Sequence, residues 1–349
     1  MRYNDKMLSN NGKDGSGMKI MVYEARPDEL AELERQAARL GVELETTGAV
    51  PALDTAALAE GCLGVSILGQ GTIDRPLLEA FSARGVRYLS TRTVGYNHID
   101  LAAAARAGIR VCNACYDPNG VADFTVMMML MCLRHYKQAM WRGQVNDFSL
   151  DGLQGREMKD LTVGIVGTGK IGAQVVRNLS GFGCRLLGFD RQENPALAGL
   201  VDYVDFETLL ARSDVISLHM PLLSSNFHII DRAAIGKMKD GVVLINCSRG
   251  ELADIEALIE GIESRKIGAL GMDTAEGEEG IIHEDHRVDI LPNRNWFYLH
   301  QFRNVIMTQH MAFYTDAAVA SMVACGVGGI VRMARGEACP TELTAETEQ

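Results

Sequence analysis

A glycine-rich segment of the chain has the residue types and spacing of a phosphate-binding loop. Gly167–Gly172 reads G-T-G-K-I-G and stands between the strand-like run Val163–Val166 and a helix-like stretch. Gly167 permits a tight turn, Gly169 lets the backbone approach a pyrophosphate, and Gly172 allows the helix to pack closely on the strand. The free N–H groups and the dipole of the helix N-terminus then favour the anion, which predicts a dinucleotide site. The predicted cofactor-binding residues of this segment are Gly167, Gly169, Lys170, Ile171 and Gly172.

An aspartate at the end of the next strand-like run indicates which dinucleotide binds. Asp190 ends the run RLLGFD and lies 18 residues after Gly172. A carboxylate at this point can accept hydrogen bonds from both ribose hydroxyls of NAD and repels the 2′-phosphate of NADP. The neighbouring Arg191 leaves some room for use of both cofactors. We expect NAD; the alternative is a structural glycine turn with a capping aspartate.

Three further apolar runs end in residues that can bind carboxylates or transfer protons. VVLIN leads to Arg249, IGALGMD leads to Glu276 and Glu278, and NVIMT leads to His310. In an open parallel sheet, ligands bind outside the carboxyl ends of the strands. We therefore expect these side chains to converge on one crevice.

Two series of alternating strand-like and helix-like segments position these motifs. The first runs from Met18 to about Asn113, and the second restarts at TVGIVG after a polar stretch, Asp147–Asp160. Such alternation implies right-handed βαβ units and parallel sheets. The sequence predicts an α/β protein with two doubly wound parallel-sheet, Rossmann-like domains and a cleft between them.

Two apolar stretches are predicted to be helices. Asn119–Met140 is apolar on nearly every side, which predicts one buried helix. Asp316–Arg335 has helical periodicity and is expected to pack on the first domain, since no sheet of its own follows it. The polar tail after Gly336 is expected to fray.

Length and charge limit the function classes. The 349 residues suggest two domains at about 150 residues each. A formal net charge of −11 argues against broad nucleic-acid binding, which needs a positive surface. It does not exclude small anionic substrates, because one local arginine can capture a carboxylate.

The cysteines and the termini point to a reducing compartment. Eight scattered cysteines do not resemble a secreted disulfide scaffold. Cys112 and Cys115 form a C-x-x-C pair, which we interpret as a strand end followed by a loop rather than a redox or zinc motif. The polar segment through Gly17 is expected to be a flexible extension, not a signal peptide. The longest apolar run, Val126–Leu133, is too short to span a membrane, so we expect a cytoplasmic protein.

Several segments together resemble the D-isomer-specific 2-hydroxyacid dehydrogenases, and among them the D-lactate dehydrogenase-like branch. The resemblance extends from Met18 to about Arg335. The matching segments are TRTVGYNHID (91–100), YDPNGVAD (116–123), LTVGIVGTGKIG (161–172), SLHMP (217–221), INCSRGEL (245–252), MDTAEGE (272–278) and HMAFYT (310–315).

The resemblance implies a role for each catalytic residue. Arg249 is expected to bind the substrate carboxylate and to polarise the 2-oxo group. His310 is expected to give the oxygen its proton during reduction and to remove it during oxidation. Glu278 is expected to hydrogen-bond His310 and, as a nearby negative charge, to stabilise its cationic form. Glu276, two residues earlier, is interpreted as solvated or supporting, because the Asp-x-x-x-x-Glu spacing from Asp273 ends at Glu278.

The resemblance also implies residues that bind the substrate and the cofactor. The substrate-binding set is the backbone of Val94 and Gly95, with Tyr116 lining the pocket. His219, Pro221 and Asp273 are expected to border the nicotinamide and adenosine parts of the cofactor.

The chemistry of this reaction also requires these residue types. Hydride addition to C2 of a 2-oxo acid develops negative charge on oxygen, which a cationic acid and a guanidinium stabilise. The planar fork of arginine suits a carboxylate because it binds both oxygens.

Some positions depart from the family pattern and leave the substrate open. Gln309 stands where proline usually precedes the histidine, and Met311 where threonine is common. Thr274-Ala275 replaces an apolar–aromatic pair, and Glu251 replaces a proline. Leu68-Gly69, where some lactate enzymes carry an aromatic side chain, can make room for larger substrates.

The resemblance implies an NAD-dependent D-2-hydroxyacid dehydrogenase that uses pyruvate and D-lactate. The alternatives are an enzyme for bulkier 2-oxo acids such as phenylpyruvate and 2-oxoisocaproate, or a non-catalytic NAD-sensing regulator. The expected substrate domain is 1–117 plus 313–349, and the expected NAD-binding domain is 118–312, with a homodimer built largely on the latter. No metal, nucleic acid or membrane partner is expected.

Two other clusters receive structural interpretations. His283-Glu284-Asp285-His286 is interpreted as a solvated charge run rather than a metal site. Trp296-Phe297-Tyr298 is interpreted as packing in a helix, with an aromatic lid over the substrate as the alternative.

Overall fold

The computed structural model describes residues 17–291 and 293–344, and these form two compact units. The first unit takes the described residues up to Asp117 and those from Thr315 onward, and the second is Pro118–Tyr314. The predicted flexible extension lies, apart from Gly17, outside the described residues.

The elements alternate along most of the chain. The strands are β1 Lys19–Val22, β2 Glu43–Thr46, β3 Gly64–Ile67, β4 Tyr88–Thr91, β5 Arg110–Cys112, β6 Thr162–Val166, β7 Arg185–Phe189, β8 Asp202–Tyr203, β9 Val215–Leu218, β10 Val242–Asn246, β11 Ile267–Met272, β12 Val305–Met307 and β13 Glu342–Leu343. The helices are α1 Leu30–Leu40, α2 Arg75–Ala83, α3 Leu101–Arg106, α4 Asn119–Leu133, α5 Tyr136–Gln144, α6 Lys170–Ser180, α7 Phe206–Arg212, α8 Arg232–Lys237, α9 Ile255–Glu263, α10 Arg294–Gln301 and α11 Asp316–Ala334.

The first unit contains a six-stranded sheet in the order β13-β5-β4-β3-β1-β2. All neighbours are parallel except β13, which pairs antiparallel with β5. The expectation that the chain frays after Gly336 was therefore wrong for this stretch. Arg110 donates to both carboxylate oxygens of Glu342 at 2.7 Å, and Leu343 packs on the core. The bidentate ion pair and the apolar contact hold this segment in place, although its polar composition did not predict an ordered structure.

Helix α11 belongs to the first unit. Its buried face includes Val323, Val327 and Ile330, which share a core cluster with Ile20 of β1 and Leu33 of α1. By length and composition alone this 19-residue helix could cross a membrane. A buried core helix meets the same criterion, and over half of its most apolar window is buried within the protein.

The second unit contains a seven-stranded parallel sheet in the order β12-β11-β10-β9-β6-β7-β8. The chain enters at β6, builds outward through β7 and β8, and then continues from β9 on the other side. The switch in direction therefore lies between β6 and β9, and ligands of such sheets bind at the carboxyl ends of the strands beside this point.

The predicted buried helix is in fact two helices. α4 ends at Leu133, and His135 adopts a left-handed φ of 52° before α5 begins at Tyr136. Eight residues of α4 are buried, whereas α5 has none, and Trp141 is 66% exposed. Composition alone could not locate the break, because the apolar residues of α5 face outward.

Candidate active site

The predicted phosphate-binding loop connects β6 to α6. Gly167 has a φ of +94°, and a Cβ there would meet the carbonyl oxygen of His219 at 2.7 Å. A Cβ on Gly172 would lie 1.9 Å from the carbonyl oxygen of Gly167, so the helix start and the turn touch through their backbones. A Cβ on Gly169 would meet open space, and no side chain caps α6. The open approach and the uncapped N–H groups fit a phosphate group.

Asp190 lies at the end of β7 and is held against this loop. Its Oδ2 accepts hydrogen bonds from the amide of Thr168 at 2.6 Å and from the Thr168 hydroxyl at 3.1 Å. The hydroxyl of Tyr203 donates to Thr168 Oγ1 at 2.9 Å. These hydrogen bonds fix the carboxylate at the carboxyl end of the sheet. A nucleotide ribose fits there because its hydroxyl groups can donate hydrogen bonds to the carboxylate.

His219 follows β9 on the other side of the switch in strand order. Its backbone N–H donates to Val166 O at 2.7 Å, and its Nε2 lies 2.9 Å from Ser217 Oγ. Burial lowers the pKa of His219 to about 4, so the ring is neutral at neutral pH. Nδ1 is buried without a hydrogen-bond partner among the described residues. An unsatisfied buried polar atom beside the glycine loop fits a site that a dinucleotide completes.

Arg249 is positioned by the turn after β10. Asn246 Nδ2 donates to Arg249 O at 2.7 Å, and Ser248 N donates to Asn246 Oδ1 at 3.1 Å. Gly250 is required next, because a Cβ there would lie 2.2 Å from the backbone of Ala275. Within the described part of the chain, no acidic side chain forms an ion pair with the half-buried Arg249. Its Nη1 donates to Ser248 O at 2.7 Å, and its positive charge, which no described carboxylate neutralises, is available to an anionic ligand.

Glu278 and His310 form a hydrogen-bonded pair. Glu278 Oε1 lies 2.8 Å from His310 Nδ1, and Glu278 Oε2 accepts the Ala275 amide at 2.8 Å. The His310 side chain is 31% exposed and that of Glu278 is 16% exposed. Because the carboxylate accepts from Nδ1, that nitrogen carries a proton and the orientation of the ring is fixed. Within the described residues Nε2 forms no hydrogen bond, so it can face a reacting oxygen.

Asp273 holds the segment that carries His310. Its Oδ1 accepts the Thr308 hydroxyl at 2.6 Å and the Met311 amide at 2.9 Å, and its Oδ2 accepts the Ala312 amide at 2.8 Å. The residue is only 1% exposed. The sequence analysis placed Asp273 beside the cofactor and did not predict this positioning contact. The available signal was an aspartate at the end of β11, next to the strand that leads to His310.

Glu276 is occupied elsewhere in the same loop. Its Oε1 lies 2.9 Å from His228 Nε2, and its Oε2 accepts the Ile255 amide at the start of α9 at 3.3 Å. The geometry thus brings Glu278, and not Glu276, to His310. Gly277 between them has a φ of 73°, which turns the two carboxylates in different directions.

The predicted carboxylate-binding backbone, Val94 and Gly95, lies in the first unit after β4. The carbonyl of Val94 accepts from Asn113 Nδ2 at 2.7 Å, and that of Gly95 accepts from Thr93 Oγ1 at 2.6 Å. In the part of the chain that the structure describes, the two N–H groups donate to no acceptor. Two unpaired amides on a partly exposed loop suit a carboxylate ligand.

A buried ion pair anchors this loop, and sequence reasoning missed it. Arg92 and Glu29 have fully buried side chains, joined by Nε–Oε1 at 2.8 Å and Nη2–Oε2 at 3.2 Å. Arg92 also donates to Tyr23 O at 3.0 Å. An arginine directly after a buried strand, two residues before Val94, was the available signal.

The remaining predicted residues are placed within their own units. Tyr116 is half-buried in the first unit, and Pro221 is exposed after β9. Among the described residues, no group of histidine, cysteine or acidic side chains is arranged to hold a metal. Trp296 packs against the core of the second unit from α10.

Comparisons with known proteins find relatives along most of the chain. Residues 126–312 match the family model of the D-isomer specific 2-hydroxyacid dehydrogenase NAD binding domain. An aromatic 2-oxoacid reductase of Clostridium sporogenes is 41% identical over 88% of this chain and 93% of its own length. D-lactate dehydrogenase of Escherichia coli is 39% identical over 93% of this chain and 100% of its own length.

Solved structures of the same kind superimpose on the chain. The apo form of D-lactate dehydrogenase from Escherichia coli aligns with a TM-score of 0.84 at 38% identity, over 94% of this chain and 100% of that one. The NAD-complexed enzyme from Lactobacillus delbrueckii, a D-isomer specific 2-hydroxyacid dehydrogenase, aligns with a TM-score of 0.81 at 30% identity and the same coverage.

Proposed function

The chain belongs to the D-isomer-specific 2-hydroxyacid dehydrogenase family and is an NAD-binding oxidoreductase, and we propose that it reduces pyruvate to D-lactate through Arg249, Glu278 and His310. The observation that carries the proposal is the fixed Glu278–His310 pair, with Arg249, which has no carboxylate partner among the described residues, on the same edge of the sheet.

The guanidinium of Arg249 binds the substrate carboxylate and polarises the 2-oxo group. A charge-assisted, two-pronged contact fixes the plane of the acid. The N–H groups of Val94 and Gly95 supply further donors to the carboxylate, and Tyr116 lines the pocket. Since the two amides have no acceptor in the described chain, they are ready for this role.

His310 gives a proton from Nε2 to the oxygen at C2 during reduction and accepts it during oxidation. NADH, when bound, supplies the hydride that C2 receives. Glu278 keeps Nδ1 protonated and stabilises the positive charge of the ring before it donates. Arg249 and the cationic ring together stabilise the negative charge that develops on the oxygen.

Gly167, Gly169, Lys170, Ile171 and Gly172 hold the pyrophosphate, and Asp190 holds the adenosine ribose. Asp190 is the ground for proposing NAD over NADP, because a carboxylate already fixed by Thr168 repels a 2′-phosphate. His219 and Pro221 border the nicotinamide side, where the unsatisfied Nδ1 of His219 is a ready partner.

Bulkier 2-oxo acids are the second candidate substrates. The reductase of Clostridium sporogenes is named for aromatic 2-oxo acids. Position 69, a glycine with a φ of +95°, carries no side chain, and a Cβ there would meet His98 at 3.1 Å. The ring of His98 lies where a side chain at position 69 would begin, so the support for bulkier substrates comes from this relative.

A panel of substrates tests these proposals. Purified protein is assayed with NADH and with NADPH on pyruvate, 2-oxoisocaproate and phenylpyruvate, and the configuration of the product is determined. We expect oxidation of NADH, a D product and the highest kcat/KM on pyruvate. Protein that binds NADH but turns over none of the acids would instead be an NAD-sensing regulator, and a preference for phenylpyruvate would select the bulkier class.

We further propose a cytoplasmic homodimer built largely on the NAD-binding unit. The outward-facing apolar side chains of α5 and the loop after it support this, among them Trp141 at 66% and Leu150 at 83% exposure. Exposed apolar clusters commonly mark protein interfaces. Light scattering of the wild type and of Trp141→Asp tests the assembly, and a monomeric wild type would exclude it.

A further inference from the structure

Two cysteines that are far apart in the sequence meet in the first unit. Cys115 follows β5, and Cys325 lies in the middle of α11. Their sulfur atoms are 3.3 Å apart. Since a disulfide bond is about 2.05 Å long, only a small approach of the two sulfurs separates this contact from a covalent bridge.

The backbone around both cysteines holds them in this position. Ser321, one turn before Cys325 on α11, donates its hydroxyl to Cys115 O at 2.8 Å. Cys325 Sγ lies 3.4 Å from the same carbonyl. The contact is therefore part of a defined junction between the segment after β5 and α11.

Solvent can reach this pair, whereas four of the other six cysteines are buried. Cys115 is exposed and Cys325 is partly exposed, and the buried cysteines are Cys62, Cys112, Cys132 and Cys247. Burial raises the pKa of Cys132 to about 12 and also raises that of Cys247. Since the thiolate is the reactive form, the buried thiols are inert.

We propose that Cys115 and Cys325 form a reversible oxidation site that a peroxide converts into a disulfide. One thiolate attacks the peroxide O–O bond, which gives a sulfenic acid and hydroxide. The second thiol then attacks the sulfenic sulfur, the S–S bond forms, and the hydroxyl leaves as water. Two thiols are oxidised, and one hydrogen peroxide is reduced to two waters. A dithiol such as dithiothreitol reverses the step by thiol–disulfide exchange.

A second pair, Cys112 and Cys339, is the competing site. A hydrogen bond from Cys112 lowers the pKa of Cys339 to about 6, so peroxide can oxidise Cys339. Cys112 is buried, and hydrogen bonding and burial raise its pKa well above the usual value. A protonated, buried thiol is a poor nucleophile, so this pair is expected not to close.

Peptide mapping distinguishes the two bridges. Reduced, folded protein is treated with hydrogen peroxide, blocked with an alkylating agent and digested with trypsin without reduction. Cys115 lies in the tryptic peptide 111–134, Cys325 in 304–332 and Cys339 in 336–349. We expect a cross-link between 111–134 and 304–332 that disappears after treatment with dithiothreitol.

Variants assign the bridge within the first peptide, which also contains Cys112 and Cys132. Cys115→Ser and Cys325→Ser should abolish the cross-link, and Cys112→Ser and the control Cys184→Ser should retain it. A cross-link to 336–349, a cross-link that survives in Cys115→Ser, or no disulfide in the wild type would overturn the proposal. The wild-type map decides without depending on the folding of any variant.

Discussion

At the scale of single residues, the site works by leaving some groups unpaired and fixing their neighbours. Arg249 has no carboxylate partner in the described chain, while Glu278 and Asp273 use their oxygens to hold His310 from two directions. Reduction of a 2-oxo acid requires a guanidinium without a carboxylate partner and an oriented imidazole, and both follow strands of the same sheet.

Replacing His310 tests its role as the proton donor. His310→Ala should lower kcat by about 10²- to 10⁴-fold, the usual contribution of a positioned acid or base. The dissociation constant for NADH, measured by fluorescence titration, should stay nearly unchanged. His283→Ala is the matched control, since the two rings are 6.3 Å apart and only His310 is bonded to Glu278. An equal loss of NADH affinity in His310→Ala would show that the residue serves cofactor binding.

Asp273→Asn tests whether this carboxylate positions His310. The asparagine side chain would keep one acceptor oxygen for the three groups that donate to Asp273. The lost hydrogen bonds should lower the free energy of unfolding by about 1–3 kcal/mol. The turnover number should fall as well, with a smaller change in NADH affinity. Asp240→Asn is the control, because the Asp240 side chain is 91% exposed. Full turnover in a destabilised Asp273→Asn would restrict the residue to a structural role.

The depressed pKa of His219 predicts a pH-dependent contribution to stability. The ring stays neutral in the folded protein down to about pH 4, whereas the unfolded chain binds the proton near pH 6.5. The stabilisation is thus complete above about pH 6.5 and is lost as the pH falls towards 4, up to about 3 kcal/mol in all. The unfolding free energies of the wild type and His219→Gln should therefore converge between about pH 7.5 and about pH 5. A constant difference would mean that His219 titrates normally.

At the scale of elements, the sequence predicted what local periodicity and strand ends determine. Most strands of the two sheets follow from their apolar runs, whereas the polar strands β2 and β8 were not predicted. The placement of Arg249, Glu278 and His310 after β10, β11 and β12 follows from the rule for parallel sheets. Contacts between distant segments were not predictable in this way. The pairing of β13 with β5 depends on Arg110 and Glu342, and the end of α4 depends on a left-handed His135. Neither leaves a periodic pattern.

The junction between β6 and α6 gives a matched pair of glycine variants. Gly172→Ala forces a Cβ to within 1.9 Å of Gly167 O, so the helix must shift away from the loop. We expect a loss of about 1–3 kcal/mol in stability and at least about tenfold weaker NADH binding. Gly181→Ala, at the other end of α6, meets nothing within 4 Å at a φ of −72° and should bind NADH like the wild type. Equal NADH affinity in both variants would remove the close approach as a requirement.

At the scale of the whole molecule, the net charge does not describe the charge around the ligand groups, and the order of the chain does not match the order of the two units. The net charge of −11 argues against nucleic-acid partners. The groups expected to meet anionic ligands are nevertheless Arg249, the amides of Val94 and Gly95, and the start of α6. The chain path is also discontinuous, because the first unit is assembled from segments on either side of Pro118–Tyr314.

Because the first unit consists of two separate segments of the chain, a Cys115–Cys325 bridge should change its thermal unfolding. The two cysteines belong to different segments of the first unit, so the bridge would prevent those segments from separating in the unfolded state. Disulfides that close long loops stabilise by about 2–4 kcal/mol, largely by restricting the unfolded chain. Calorimetry should show a higher melting temperature for peroxide-treated than for dithiothreitol-treated wild type. Cys115→Ser should show no difference between the two treatments. A lower melting temperature after oxidation would mean that the bridge strains the junction held by Ser321.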